Sequence, residues 1–161
     1  MMTSARRRRP TGLSRSLFRL PIHVFRLRLG WLFLGRLLLL HHTGRRSGMR
    51  RSTVLEVVAR DGESYVVASG FGPRSDWYRN VLADPEVSIV VRTTAIAAVA
   101  RPLPPEEAEE FMAAYARRHP WLARQLCRRL LGFAVDGGEE SFREVGRGIP
   151  FVRLTPTRLS A

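Results

Sequence analysis

The chain has 161 residues, 27 of them basic and 14 acidic, for a formal net charge of +13. That length makes one domain the default and supports a core without staples, and a hydrophobic content of 45% excludes a disordered chain. A single cysteine, Cys127, excludes an internal disulfide framework and points to a reducing compartment.

The charge is uneven. Residues 1–60 hold 14 arginines and one acid, Glu56, whereas residues 61–161 hold 13 arginines and 13 acids. Lysine is absent, and Asn80 and Gln125 are the only residues of their types. A GC-rich coding sequence produces that bias without any functional demand, so arginine position tells more than arginine identity.

Residues 1–36 read as a basic N-terminal arm. The stretch from 16 to 40 is apolar but interrupted by Arg19, Arg26, Arg28 and Arg36. It therefore lacks the roughly 20 apolar residues of a transmembrane helix, and the unbroken apolar region and cleavage site of a signal peptide. Arg15, Arg19 and Arg26 fall on one helical face, with Leu17, Phe18, Ile22, Phe25 and Leu29 on the apolar side and a break at Pro21. Such an amphipathic helix suits an anionic membrane surface, contacted through residues 6–36. Packing on its own domain and nonspecific contact with nucleic acid are the alternatives. No zinc-ligand spacing, aromatic ribonucleoprotein motif or recognition helix supports specific nucleic-acid binding. The expected location is cytoplasmic, peripheral at the inner face of the cell membrane.

Residues 37–161 read as the folded domain. LLLLHH (37–42) is a short buried strand, on which His41 and His42 point to opposite faces and cannot share a metal, so no metal site is expected. A Gly- and Arg-rich turn, TGRRSGMRR (43–51), leads to a strand over 52–59. Asp61-Gly62 signals a hairpin into a strand over 65–69. A loop, GFGPRS (70–75), follows, and Ser75 is placed to cap a helix starting at Asp76 and ending before Pro85. Strands over 87–92 and 95–100 are joined by a turn at Thr93-Thr94. Pro104-Pro105 and a run of glutamates open a helix; further helices are expected over 121–133 and 139–145. A last strand covers 149–154, with Pro150 at an initiating or edge position. About six short, mostly antiparallel strands with helices inserted late define an α+β class with a closed or half-open barrel.

Two segments carry chemistry. The turn 43–51 holds four arginines, a hydroxyl and two glycines, and its amides and guanidiniums can form an anion nest. It has neither the spacing of a P-loop nor that of a dinucleotide fingerprint. Ser69-Gly70 at a strand end, with Trp77, Tyr78 and Asn80 just beyond, can offer amides and aromatic surface to a planar ring. Ser47 and Ser69 lack triad partners, and Cys127 reads as packed rather than reactive. No side-chain catalyst is visible, so chemistry here must come from a cofactor.

The series LLLLHHTGRRSGMRRSTVLEVV, YVVASGFG, DWYRNVLADPEVSIVV and RGIPFVRLTP resembles the deazaflavin-dependent nitroreductase family, split-barrel proteins that use an 8-hydroxy-5-deazaflavin, coenzyme F420. The resemblance implies a split barrel and hydride transfer from the reduced coenzyme to an electron-poor acceptor such as a quinone or nitroaromatic. It implies that Arg46 and Arg51 meet the phosphate, with Arg45, Ser47 and Gly48 nearby. It sets Thr53, Val54 and Leu55 with their backbone toward the ring, Ser69 and Gly70 beside it, and Trp77, Tyr78 and Asn80 at the closing helix. Family members that reduce quinones or nitroimidazoles carry C-terminal tyrosines; the matching stretch Ser141–Val145 has none, Glu56 stands where some members place a tyrosine, and His41 and His42 where threonine is more usual. A carrier of coenzyme or haem without turnover, and an enzyme using flavin mononucleotide, are the competing readings.

Overall fold

The computed structural model describes residues 36–131 and 136–157. The arm, apart from Arg36, lies outside them, and so does its expected amphipathic helix. Strands β1 (Leu37–Thr43), β2 (Arg50–Asp61) and β3 (Ser64–Ala68) come first. A single 3-10 turn (Gly72–Arg74) leads to helix α1 (Asp76–Ala83). Then come β4 (Glu86–Val91), β5 (Thr94–Pro102), helices α2 (Pro105–Arg118), α3 (Pro120–Leu131) and α4 (Glu139–Gly148), and β6 (Phe151–Pro156). All six strands pair antiparallel and close into a barrel in the order β1-β2-β3-β6-β5-β4.

Side-chain alternation builds two cores from one sheet. Leu38, Leu40, Leu55, Val67, Ile89 and Leu154 fill the barrel, and Trp77 and Val81 of α1 pack into the same cluster. The opposite faces of β2, β3 and β6 carry Val58, Val66 and Phe151 outward into a second cluster with Met112, Cys127 and Phe142 of the helices. A bulge between Val57 and Ala59 shifts the β2–β3 register at Val58, where β2 passes from one core to the other. The tightest helix contact is α2 against α4: a methyl group at Gly146 would lie 2.5 Å from Glu109 Cα and 2.8 Å from the Ala108 carbonyl oxygen.

The pattern in the sequence differs from the structure at four places. Arg50 and Arg51 belong to β2, because they pair across to Thr43 and His42; the basic turn is therefore shorter than its composition suggests. The β4–β5 turn sits at Arg92-Thr93, one residue early, with Arg92 in the left-handed region at φ 57°. Ser75 occupies the cap position of α1 but makes no side-chain cap bond. Pro150 stays outside β6, having no N–H to donate; its carbonyl instead accepts from Ser69 N–H at 2.8 Å.

The arginines of the C-terminal part meet acids. Arg143 pairs with Glu110 and Glu139, Arg147 with Glu109 and Glu140, and Arg153 with Asp61 and Glu107. These contacts stitch α4 to α2 and β6 to both β2 and α2, each adding little at the surface.

Candidate functional site

Residues 44–49 turn tightly between β1 and β2. Gly44 N–H donates to the Met49 carbonyl and Gly48 N–H to the Gly44 carbonyl, each at 2.8 Å, and Met49 N–H donates to Ser47 Oγ at 3.3 Å. Gly48 has φ 66°, which favours glycine, and nothing lies within 4 Å of where a Cβ would be. Arg46, Arg50 and Arg51 are exposed. None of the three makes an ion pair among the described residues.

Arg45 is different. Its backbone N–H and its Nη1 donate to Asn80 Oδ1 at 3.1 and 2.8 Å, and its Nη2 lies 3.3 Å from Asp76 Oδ1. Asn80 Nδ2 in turn donates to His42 Nδ1 at 3.1 Å. Asn80 and His42 are 4% and 6% exposed, so this chain of bonds runs inside the protein. Burial, and then the neighbouring His41 and Arg51, push the His42 pKa down to about 4, against the opposing pull of Asp76. The ring is therefore neutral at neutral pH, and because the Asn80 Nδ2 facing it can only donate, Nδ1 is the accepting nitrogen. His41 faces the other way, its Nδ1 2.7 Å from Ser52 Oγ.

Among the described residues, one edge of β2 is open beside the turn. The β2–β3 ladder runs only from Val57 to Asp61, whereas residues 50–56 pair with β1 alone. Val57 N–H bonds the Arg36 carbonyl, so ladder alternation sends the backbone groups of Leu55 and Thr53 to β1 and those of Val54 to the unpaired edge. Thr53 shares the inward face with Leu55, which is a core side chain.

Just past the end of β3, Ser69 is fully buried and its Oγ donates to the Gly72 carbonyl at 2.8 Å, fixing the bend at Gly70. Trp77 packs into the barrel and Tyr78 meets it edge-on, ring centroids 6.0 Å apart. Near the same edge, Tyr115 O–H of α2 donates to Glu56 Oε1 at 2.6 Å. Burial and that carboxylate raise the phenol's pKa, so it stays protonated.

An open cavity of about 700 Å³ covers the outer face of β1, β4 and β5, lined by His41, Thr43, Gly48, Arg50, Glu86 and Ser88 among others. Of the thirteen predicted site residues only Gly48 lines it. The structure thus joins Arg45 to Asn80 directly, groups Arg46, Ser47 and Gly48 at one turn with Arg51 on the strand just after it, sets Val54 on an edge open among the described residues, and commits Leu55 and Trp77 to the core. Sequence reasoning missed His42 as the partner of Asn80. The inward register of Leu38 and Leu40, extended by two, was the available signal. Cys127 is buried, and burial raises its thiol pKa to about 11, so it is inert as expected.

A family model described as F420H(2)-dependent quinone reductase matches residues 24–127. A protein of that name from Mycobacterium tuberculosis is 40% identical over 73 residues, which is 44% of this chain and 48% of the relative. The match thus spans about half the length of the curated relative. Among solved structures, a conserved hypothetical protein from Mycobacterium tuberculosis superposes with TM-score 0.53 at 17% identity, covering 76% of this chain and 74% of that one. A protein of unknown function from Agrobacterium tumefaciens does so with TM-score 0.55 at 15% identity, covering 86% and 56%. At those identities the two structures speak for the fold alone. The family match covers well over half of the chain and includes the basic turn, the open strand edge and α1: the chain belongs to the F420H(2)-dependent quinone reductase family.

Proposed function

We propose that the chain is an oxidoreductase that binds coenzyme F420 and transfers a hydride from its reduced form to an electron-poor acceptor of the quinone class. The observation that carries this reading is the turn at 44–49 with its flanking strand residues. Arg46 and Arg51 stand exposed without carboxylate partners among the described residues, next to the unobstructed backbone of Gly48, whereas Arg50 turns to the opposite face of β2. That donor set fits a polyanionic group such as a phosphate with a carboxylate tail. The Val54 edge of β2, unpaired among the described residues, and the bend at Ser69-Gly70 supply a planar ring with backbone partners on a rigid strand.

The bound coenzyme supplies the hydride chemistry. The chain's residues bind and orient it: the arginines fix the charged end, and the strand edge sets the ring's plane. The absence of tyrosines in Ser141–Val145 leaves acceptor choice to other groups; the family match is what places quinones ahead of nitroaromatics. Purified protein mixed with reduced F420 and a soluble quinone is expected to oxidise the coenzyme catalytically, read as recovery of its absorbance and fluorescence. Tight coenzyme binding with no turnover on any quinone would make the protein a carrier instead; no binding at all would end the reading.

Among the described residues no helix is long and apolar enough to cross a membrane. We assign residues 6–36 to peripheral contact with an anionic lipid surface on the cytoplasmic side, on the strength of their charge and amphipathic spacing. Anionic vesicles should float the full chain but not a version starting at Gly35; equal flotation of both rejects the arm as the anchor.

A further inference from the structure

We propose that Asn80, held by His42, positions the basic turn through Arg45, and that Arg45 is a strut rather than a contact to the coenzyme. The inference rests on the coenzyme reading of the turn, but the geometry behind it belongs to the free protein.

An asparagine inside a helix has poor propensity, and a buried amide is costly unless its groups are bonded. Asn80 lies on the buried face of α1 with Trp77 and Val81. Its amide orientation is settled by chemistry. Arg45 offers only donors, from its backbone N–H and Nη1, so the atom they meet must be the carbonyl oxygen, Oδ1. That leaves Nδ2 facing His42 Nδ1, which must accept. Both lone pairs of Oδ1 are taken, and the residue is 4% exposed. Asn80 therefore has no acceptor to offer a ligand.

Arg45 is likewise committed. Its guanidinium spans Asn80 and Asp76, its charge is countered by Asp76, and its side chain is 20% exposed. The two arms from residue 45 to residue 80, one backbone and one side chain, fix the first residue after Gly44 in both position and direction. Arg46, Ser47 and Gly48 are thereby presented from a clamped start, and Arg51 is clamped by its strand pairing with His42. One buried amide thus ties β1, the turn and α1 together. Holding ligand groups on rigid supports reduces the ordering lost on binding.

The test uses the full chain. Asn80→Ser removes both arms of the amide. Asn80→Asp keeps the acceptor for Arg45 and drops the N–H that His42 receives. Brief trypsin treatment without coenzyme, read by mass spectrometry, should show Asn80→Ser cut after Arg45, Arg46, Arg50 and Arg51 about tenfold faster than the parent, with cleavage elsewhere unchanged. Its F420 affinity should fall about tenfold while the KM for quinone holds, and Asn80→Asp should recover most of both losses. Arg45→Ala, whose side chain leaves the core untouched, serves if Asn80→Ser does not fold. Its affinity should drop without changing the salt dependence of binding, whereas Arg46→Ala should flatten that dependence.

Cleavage and affinity within twofold of the parent would overturn the proposal, as would faster cleavage spread evenly along the chain. A salt slope flattened as much in Arg45→Ala as in Arg46→Ala would make Arg45 a direct contact and overturn it too. If the parent binds no F420, the coenzyme reading fails, while the cleavage pattern still judges the strut.

Discussion

Replacing Arg46 and Arg51 together with alanine is expected to weaken F420 binding by about 100-fold at low ionic strength. A hydrogen bond to a charged group contributes about 1.5–3 kcal/mol, and each 1.4 kcal/mol is tenfold in affinity. Two contacts at this exposure, discounted for solvent screening, give about two decades. The loss should shrink as salt rises, because both guanidiniums are exposed. Fluorescence titration of F420 at low and high salt reads both features. Undiminished affinity in the double variant would remove these arginines from the coenzyme's charged end. Neither residue makes an ion pair among the described residues, so the fold should melt as before, which separates a binding loss from unfolding.

The largest expected stability effect is far from that turn. Gly146→Ala places a methyl group 2.5 Å from Glu109 Cα and 2.9 Å from Glu109 N. Both are backbone atoms of α2, so no side chain can swing aside. Overpacking costs about 1–3 kcal/mol in general, and the better helix propensity of alanine returns about 1 kcal/mol. Rigid backbone on both sides sets the cost at the upper end, for a net loss of about 2 kcal/mol. For a chain of this size that lowers the melting temperature by roughly 4–8 °C. Gly148→Ala, with nothing within 4 Å, is the control and should leave melting nearly unchanged. Equal behaviour of the two would mean that α2 and α4 do not cross as closely as described.

The sequence shows its strands where spacing is local. The Asp61-Gly62 turn and the alternation on either side locate the β2–β3 hairpin, and the same logic finds β4 and β5 to within a residue or two. Closure of the barrel is a different kind of fact. It depends on β1 pairing with β4, Leu40 opposite Ile89, a contact between segments far apart whose apolar faces look alike. Arg50 and Arg51 read as turn because charge and glycine surround them; their pairing with Thr43 and His42 extends the strand through a composition that argues against it.

The site divides in the same way. The density of arginine at 45–51 is visible by inspection, and the family resemblance gathers Ser69, Trp77 and Asn80 around it. That Arg45 is spent on Asn80, 35 positions away, is not visible, because composition gives no hint of which charge a buried amide will claim. Nor does a lone asparagine announce that it is buried.

The chain's only cysteine sits among the helices outside the barrel, 1% exposed and in the same cluster as Met112 and Phe142. A thiol reagent can reach it only when that outer layer opens. Alkylation of Cys127 in native conditions is therefore a clock for the helical layer alone, blind to fluctuations of the barrel interior. Run with and without F420, it asks whether holding a ligand at the turn also quiets the far side of the sheet.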